Sequence, residues 1–262
     1  MFTFDQDLAL ALELADAADQ ISLPRFRALD LNVETKPDLS PVTDADKSVE
    51  KALIELLALS RPDDAIVGEE FGSSGEASRK WIIDPIDGTA NFVRGVPVWA
   101  TLIALSIDGK PSVSVVSAPA MGARWWAAPG TGAFTKSITG EARKLRVSGI
   151  SKLEDSSLSY NNLQLWQKSE FMPQLIQLSE TVWRTRAYGD FWSYMLLAEG
   201  SVDIVAEHDL KIYDIAALVP IIEQAGGYIS DLQGPLTEQS SSVLATNSLL
   251  HSKVQDLFRT AS

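Results

Sequence analysis

The sequence predicts a mixed α/β protein, an α+β half over residues 1–148 followed by an α/β half over residues 149–262. Three observations carry this reading. Two amphipathic helical patterns open the chain, short β-rich runs divided by turn signals follow, and strand and helix patterns then alternate to the end.

Asp5 to Phe26 carries Leu8, Leu12, Ala15, Ala18 and Ile21 at helical spacing, and Pro24 interrupts the pattern near its end. A turn-rich stretch from Lys36 to Pro41 leads into a second helix beginning at Thr43, with Asp46 three residues on and Val49, Leu53, Leu56 and Leu57 along one face. The β-rich runs are Ala65 to Val67, Trp81 to Ile83, Val98 to Ile107, Ser112 to Ser117 and Arg124 to Ala127. Asp108-Gly109 and Pro129-Gly130 fall between runs as the turns of an antiparallel sheet. Helices are expected from Glu170 to Thr181 and from Phe191 to Glu199, each followed by a strand, Val182 to Arg186 and Val202 to Ala206. A helix from Asp214 to Gln224 stops at Gly226-Gly227; strands at Tyr228 to Ser230 and Val243 to Thr246 and a helix from Ser248 to Phe258 complete the chain.

Asp and Glu total 35 against 22 Lys and Arg, a formal charge of −13 that repels polyanions and argues against a nucleic-acid partner. With no cysteine and only His208 and His251, the chain has no thiolate nucleophile, no Cys-ligated zinc and no three-histidine site. Carboxylates are the abundant reactive groups, and Mg²⁺ is their natural partner. No apolar run approaches the ~20 residues of a membrane helix. The start, Met1-Phe2-Thr3-Phe4-Asp5, lacks the basic and apolar regions of a signal peptide, so a cytoplasmic protein without a membrane partner is expected.

The most informative segment is Trp81 to Phe92. An apolar β run ends in Asp84, Pro85 restricts the turn, and Asp87 returns a second carboxylate three residues on, with the Ile86 carbonyl between them. Gly88-Thr89 then open a helix whose free N–H groups suit a phosphate oxygen. Taken alone, Asp-x-x-Asp-Gly-Thr is equally a turn followed by a helix cap.

The longer string, Asp84-Pro85-Ile86-Asp87-Gly88-Thr89-Ala90-Asn91-Phe92, resembles the signature of the inositol monophosphatase superfamily, Mg²⁺-dependent phosphatases. Its other motifs occur in the same order: Val42-Thr43-Asp44-Ala45-Asp46, Gly68-Glu69-Glu70, Tyr213-Asp214-Ile215-Ala216-Ala217 and Glu223-Gln224-Ala225-Gly226-Gly227. The resemblance spans essentially the whole chain and implies a layered αβαβα sandwich. It also implies two or three Mg²⁺ ions held by Glu69, Asp84, the Ile86 carbonyl, Asp87 and Asp214. Asp46 and Thr89 then hold the attacking water, with Glu69 as a further catalytic group, and Asp87, Gly88 and Thr89 bind the phosphate. Asp44 stands either beside an extra metal or as a solvated first-turn carboxylate, and Glu70 either as a further ligand or as an ordinary surface or capping contact; Thr43-x-x-Asp46 is also a capping box. The implied reaction is in-line hydrolysis of a phosphomonoester by a metal-activated water, with no covalent intermediate.

Within the superfamily, Arg186-Ala187-Tyr188-Gly189-Asp190-Phe191, Asn91 to Trp99 and Thr35 to Asp46 resemble the histidinol-phosphate phosphatases. Asp190 stands where the superfamily commonly has a small residue, and Glu207 stands seven before Asp214. Two carboxylates there favour a leaving alcohol that carries an amine. The resemblance places Asn91, Arg186, Tyr188, Gly189, Asp190, Glu207 and Asp214 around the substrate. It implies L-histidinol phosphate as substrate, a step of histidine biosynthesis, and a homodimer. An inositol-1-phosphate or broad sugar-phosphate phosphatase is the alternative enzyme, and a metal- or phosphate-sensing pseudoenzyme the alternative without activity. Trp125-Trp126 reads as core plus interface, His208 as an exposed loop residue and His251 as a solvated helical one. Lys36 receives no role.

Overall fold

The structure, a computed structural model, describes residues 3–137 and 140–259. Met1 and Phe2 of the N-terminal segment read above lie outside the described residues. Helix α1 (Phe4–Arg25) begins at a Thr3/Gln6 capping box and runs through Pro24 to the next residue. A hairpin of β1 (Val33–Thr35) and β2 (Pro41–Thr43) delivers the chain to α2 (Asp44–Ser60), capped by Thr43 and Asp46 as expected.

Eight strands then form the first sheet: β3 (Ala65–Gly68), β4 (Gly72–Ser74) and β5 (Arg79–Asp87), followed after α3 (Thr89–Arg94) by β6 (Ala100–Ile107), β7 (Lys110–Ala118), β8 (Ala123–Ala128), β9 (Gly132–Ser137) and β10 (Arg143–Lys144). Their order is β10-β9-β8-β7-β6-β5-β3-β4, antiparallel except for the parallel pair β3 and β5. The second half supplies β11 (Ser157–Tyr160), α4 (Leu163–Lys168), α5 (Met172–Thr181), β12 (Arg184–Arg186), α6 (Asp190–Ala198), β13 (Ile204–His208), α7 (Ile212–Ile215), α8 (Leu218–Gln224), β14 (Tyr228–Ser230), β15 (Ser242–Thr246) and α9 (His251–Arg259). Its five-stranded sheet runs β12-β11-β13-β15-β14.

Strand periodicity sorts the core into layers. Trp81 and Ile83 of β5 face Leu14, Ala18, Leu53 and Leu57 of α1 and α2. Ile82, one residue out of phase, joins Tyr194 and Met195 of α6 and Ile221 and Ile222 of α8 in a second cluster that Val205 and Ala245 of the second sheet close from the other side. On the far face of that sheet, Ile204, Ala206 and Leu244 pack against Trp166, Leu178 and Phe258. The five layers are therefore helix, sheet, helix, sheet, helix, the sandwich expected. The central helices bury side chains against both sheets, so the two halves share one core.

Several elements differ from the sequence reading. The helix expected from Asp214 to Gln224 breaks at Ala216-Ala217 into α7 and α8. Asp84 does not end its strand; β5 continues to Asp87 through a shift in register between the two. His251 is not solvated: it is buried, with Nε2 2.9 Å from Ser230 Oγ and Nδ1 3.2 Å from Thr246 Oγ1, and burial pushes its pKa down to about 4. His208 ends β13, half-buried against the Phe171 ring. Trp125 enters the core and donates to Glu199, whereas Trp126 stacks on Phe134. Among the described residues, no helix is long and apolar enough to cross a membrane.

One ion-pair network ties α1 to the first sheet. Buried Asp7 accepts from Arg79 at 2.7 Å and Arg61 at 3.3 Å, while Arg79 and Trp81 also hold Asp64. Removing one partner of a buried pair leaves charge uncompensated, so Asp7→Ala is expected to lose about 3 kcal/mol of stability. Urea unfolding checks this; an unchanged midpoint would show that the network adds nothing.

Candidate active site

The site forms where β5, an interior strand of the first sheet, meets the middle helical layer. Asp84 shares the face of Ile82, so its carboxylate points toward that layer and is buried. The register then shifts: Asp84 pairs with Leu102 and Asp87 with Ala100, while the Pro85 carbonyl accepts from Thr101 Oγ1 at 2.8 Å. Ile86 anchors this turn by burying its side chain with Ala45, Phe92 and Trp99. Gly88 follows at φ 82°, where a Cβ would stand 3.0 Å from the Val98 carbonyl and 3.1 Å from Asp190 Oδ2; only glycine fits.

Asp84, Asp87 and Asp214 offer carboxylate oxygens that all lie within 4.8 Å of one another. Asp214 reaches them from α7, whose first turn it caps through a 2.7 Å bond from the Lys211 amide. Asp87 Oδ2 accepts from the Phe191 amide of α6 at 2.8 Å. Burial, then the charges of Glu69, Asp87 and Asp214, drive the Asp84 carboxyl far above the usual range. Burial and then Asp190 and Asp214 do the same to Asp87, and burial leads in pushing Asp214 up to about 7. Such a cluster ionises fully only with a countercharge. Asp84 Oδ1 is buried without a hydrogen-bond partner, and the donors that converge are carboxylate oxygens. These residues fit a hard divalent cation.

Asp46 and Thr89 meet as expected. Thr89 Oγ1 lies 3.1 Å from Asp46 Oδ1 and 2.9 Å from the Ile86 carbonyl, while Asp46 Oδ2 accepts from the Thr43 amide at 2.8 Å. The capping box and the Thr89 contact thus coexist, each using one carboxylate oxygen. Burial raises the Asp46 pKa despite the Thr43 bonds.

Glu69 and Glu70 follow β3, both held by the Lys36 ammonium at 2.7 and 2.6 Å. Burial opposes the charge on Lys36, yet the two glutamates carry its pKa well above the usual amine value. Burial pushes Glu70 up to about 7. Asp44 pairs instead with Arg25 at 2.8 Å.

Asp190 and Glu207 lie on the far side of the cluster. Glu207 shares the inward face of Val205; Tyr194 donates to its Oε2 at 3.0 Å, and its buried Oε1 has no partner. Burial pushes Asp190 up to about 6 and raises Glu207 strongly, with Asp190 adding to the latter. Gly189, at φ 89°, caps α6, and Tyr188 sets its ring edge-on to Trp192. Arg186 is not drawn in: it is exposed on edge strand β12 and donates to the Thr185 carbonyl, with no hydrogen bond to Asp190 or Glu207.

Sequence reasoning missed Tyr194 and Glu50 and left Lys36, which sits on the Glu69–Glu70 turn, unassigned. Glu50 is fully buried and accepts from the Glu70 and Phe71 amides, each at 2.8 Å. Its signal was present, since it stands one helical turn from Asp46 on the same face of α2. Gly68 leaves it room, because a Cβ there would overlap the Glu50 carboxylate.

A five-layer sandwich with an acidic cluster at a strand–turn–helix junction defines a metal-dependent phosphatase, and the chain belongs to the inositol monophosphatase family, whose model matches residues 4–261. Among individual relatives, it is similar to the histidinol-phosphatase of Mycobacterium tuberculosis, 53% identical over 249 residues covering 95% of this chain and 96% of that one. The histidinol-phosphatase of Streptomyces coelicolor is 50% identical, with 95% of each chain covered. An inositol monophosphatase structure from Zymomonas mobilis superposes with a TM-score of 0.86 at 34% identity, covering 98% of this chain and 99% of that one.

Glu50→Ala releases the amides that fix the Glu69–Glu70 turn and is expected to weaken divalent-cation binding by about tenfold, with Glu50→Gln intermediate. Calorimetric titration with Mg²⁺ reads this, and equal affinity in all three proteins would refute it.

Proposed function

We propose that the protein hydrolyses L-histidinol phosphate to L-histidinol and phosphate, with two or three Mg²⁺ ions held by Glu69, Asp84, the Ile86 carbonyl, Asp87 and Asp214. The observation that carries the substrate is the second acid pair, Asp190 and Glu207, buried beside the cluster with Glu207 Oε1 unpartnered. A cationic leaving group satisfies both carboxylates, whereas a neutral polyol leaves their charge unopposed. The two histidinol-phosphatases similar to this chain at 50% identity or more support the same substrate.

Bound at this site, Mg²⁺ supplies Lewis-acid stabilisation of charge on the phosphate and the leaving oxygen. The protein's own groups do the rest. The Gly88 and Thr89 amides orient the phosphate. Thr89 has one hydroxyl hydrogen; donating it to Asp46 leaves the oxygen free to accept from the attacking water, and Asp46 takes up the proton. Lys36 holds Glu69 and Glu70 beside the cluster, where Glu69 would serve as a ligand of the ions. Asp190 and Glu207 receive the ammonium and imidazole of histidinol beside Tyr188. We also propose a homodimer working in the cytoplasm, in keeping with an acidic, cysteine-free chain.

Phosphate release from histidinol phosphate, inositol 1-phosphate and fructose 1,6-bisphosphate, with Mg²⁺ and after chelation, tests the proposal. Histidinol phosphate is expected to lead in kcat/KM by tenfold or more, about the 1.4 kcal/mol that one charge-assisted hydrogen bond supplies. Chelation is expected to abolish turnover. Equal turnover of inositol 1-phosphate would overturn the substrate, and activity without metal would overturn the mechanism. Asp190→Ala is expected to lower kcat/KM for histidinol phosphate by about tenfold while costing inositol 1-phosphate much less. An equal loss on both would make Asp190 structural.

A further inference from the structure

We propose that Asn91 is a positioning residue for leaving-group selection: rather than touching substrate, it holds Asp190 in place against the metal-binding turn. The inference deepens the reading above and rests on it. It replaces the expectation that Asn91 is itself a substrate contact.

The Asn91 side-chain amide has two hydrogens, and both are engaged within the protein. Nδ2 donates to the Val98 carbonyl at 2.9 Å and to Asp190 Oδ2 at 2.8 Å. The first bond fixes the amide against the loop that precedes β6; the second reaches across to the start of α6, 99 positions along the chain. Asp190 needs such a restraint. It adopts φ 46°, a left-handed conformation, directly after Gly189 at φ 89°. Gly88 clears the approach, because a Cβ there would crowd both the Val98 carbonyl and Asp190 Oδ2. The neighbouring bond from the Phe191 amide to Asp87 Oδ2 draws the same helix start onto a metal-binding carboxylate.

The consequence is geometric. Asn91 and Thr89 share α3, so one short helix carries both the hydroxyl that faces the water and the amide that sets Asp190. With Oδ2 occupied by Asn91, Asp190 Oδ1 is left to face a cationic group.

A double-mutant cycle tests this. The ratio of kcat/KM for histidinol phosphate to that for p-nitrophenyl phosphate, which lacks an amine, is measured for the natural enzyme, Asn91→Ala, Asp190→Ala and the double variant. Asn91→Ala is expected to lower the ratio about tenfold, through KM for histidinol phosphate, the effect of losing a hydrogen bond to a charged group. In the Asp190→Ala background the same substitution is expected to change the ratio by less than about twofold. If Asn91→Ala does not fold, Asn91→Ser, which also loses the reach to Asp190, is read the same way. A ratio unchanged by Asn91→Ala, or lowered equally in both backgrounds, overturns the positioning role alone. A natural enzyme with no preference for histidinol phosphate overturns the proposed function instead.

Discussion

Like charges held close together in a dry place are the constraint on which the rest of this structure depends. Asp84, Asp87 and Asp214 bring their oxygens within 4.8 Å, with Glu69 adjacent, where burial and mutual repulsion both oppose ionisation. The protein meets that cost by securing one oxygen of each neighbouring acid. Asp87 is held by the Phe191 amide, Asp214 by the Lys211 amide, Asp46 by the Thr43 amide and Glu207 by Tyr194. A carboxylate with one oxygen tethered keeps its orientation while the other stays available. Glu207, with Oε2 held by Tyr194 and Oε1 buried and unpartnered, is the clearest case.

The constraint explains the layering. Asp84 and Asp87 belong to strand β5 of the first sheet, Glu207 to the second sheet, and Asp190 and Asp214 to helices in the layer between. The acid groups converge only once both sheets have closed on α6 and α8, whose apolar side chains fill the shared core. Hydrophobic burial in that layer therefore opposes the electrostatic repulsion at its edge. Phe92 and Trp99, packed edge to face at 4.9 Å with Phe26 beside them, give α3 a rigid base under the same edge.

Much of this was legible in the chain. Asp84 to Phe92 announces a turn and helix start bearing oxygen ligands, and the Trp81 run, buried on both faces, places alternate residues in two different core layers as strand geometry requires. Thr43-x-x-Asp46 posed a choice between cap and catalytic group that dissolves once the two carboxylate oxygens are counted separately. What stayed hidden depends on distance along the sequence. Lys36 finds Glu69 across 33 residues and Glu50 finds the Phe71 amide across 21, and no local period encodes either pairing. The short strands β1, β4 and β10 lack room for alternation to show. His251 reads as polar on an amphipathic helix, yet Ser230 and Thr246 make a buried place for it that only the second sheet supplies.

The backbone at Asp190 has an evolutionary consequence. A left-handed φ at a residue with a side chain carries a penalty of about 1 kcal/mol that glycine would avoid. Random drift at this position is thus biased toward a sturdier backbone. Under the selecting role proposed for Asp190, its replacement in a diverging lineage would trade discrimination between alcohols for stability.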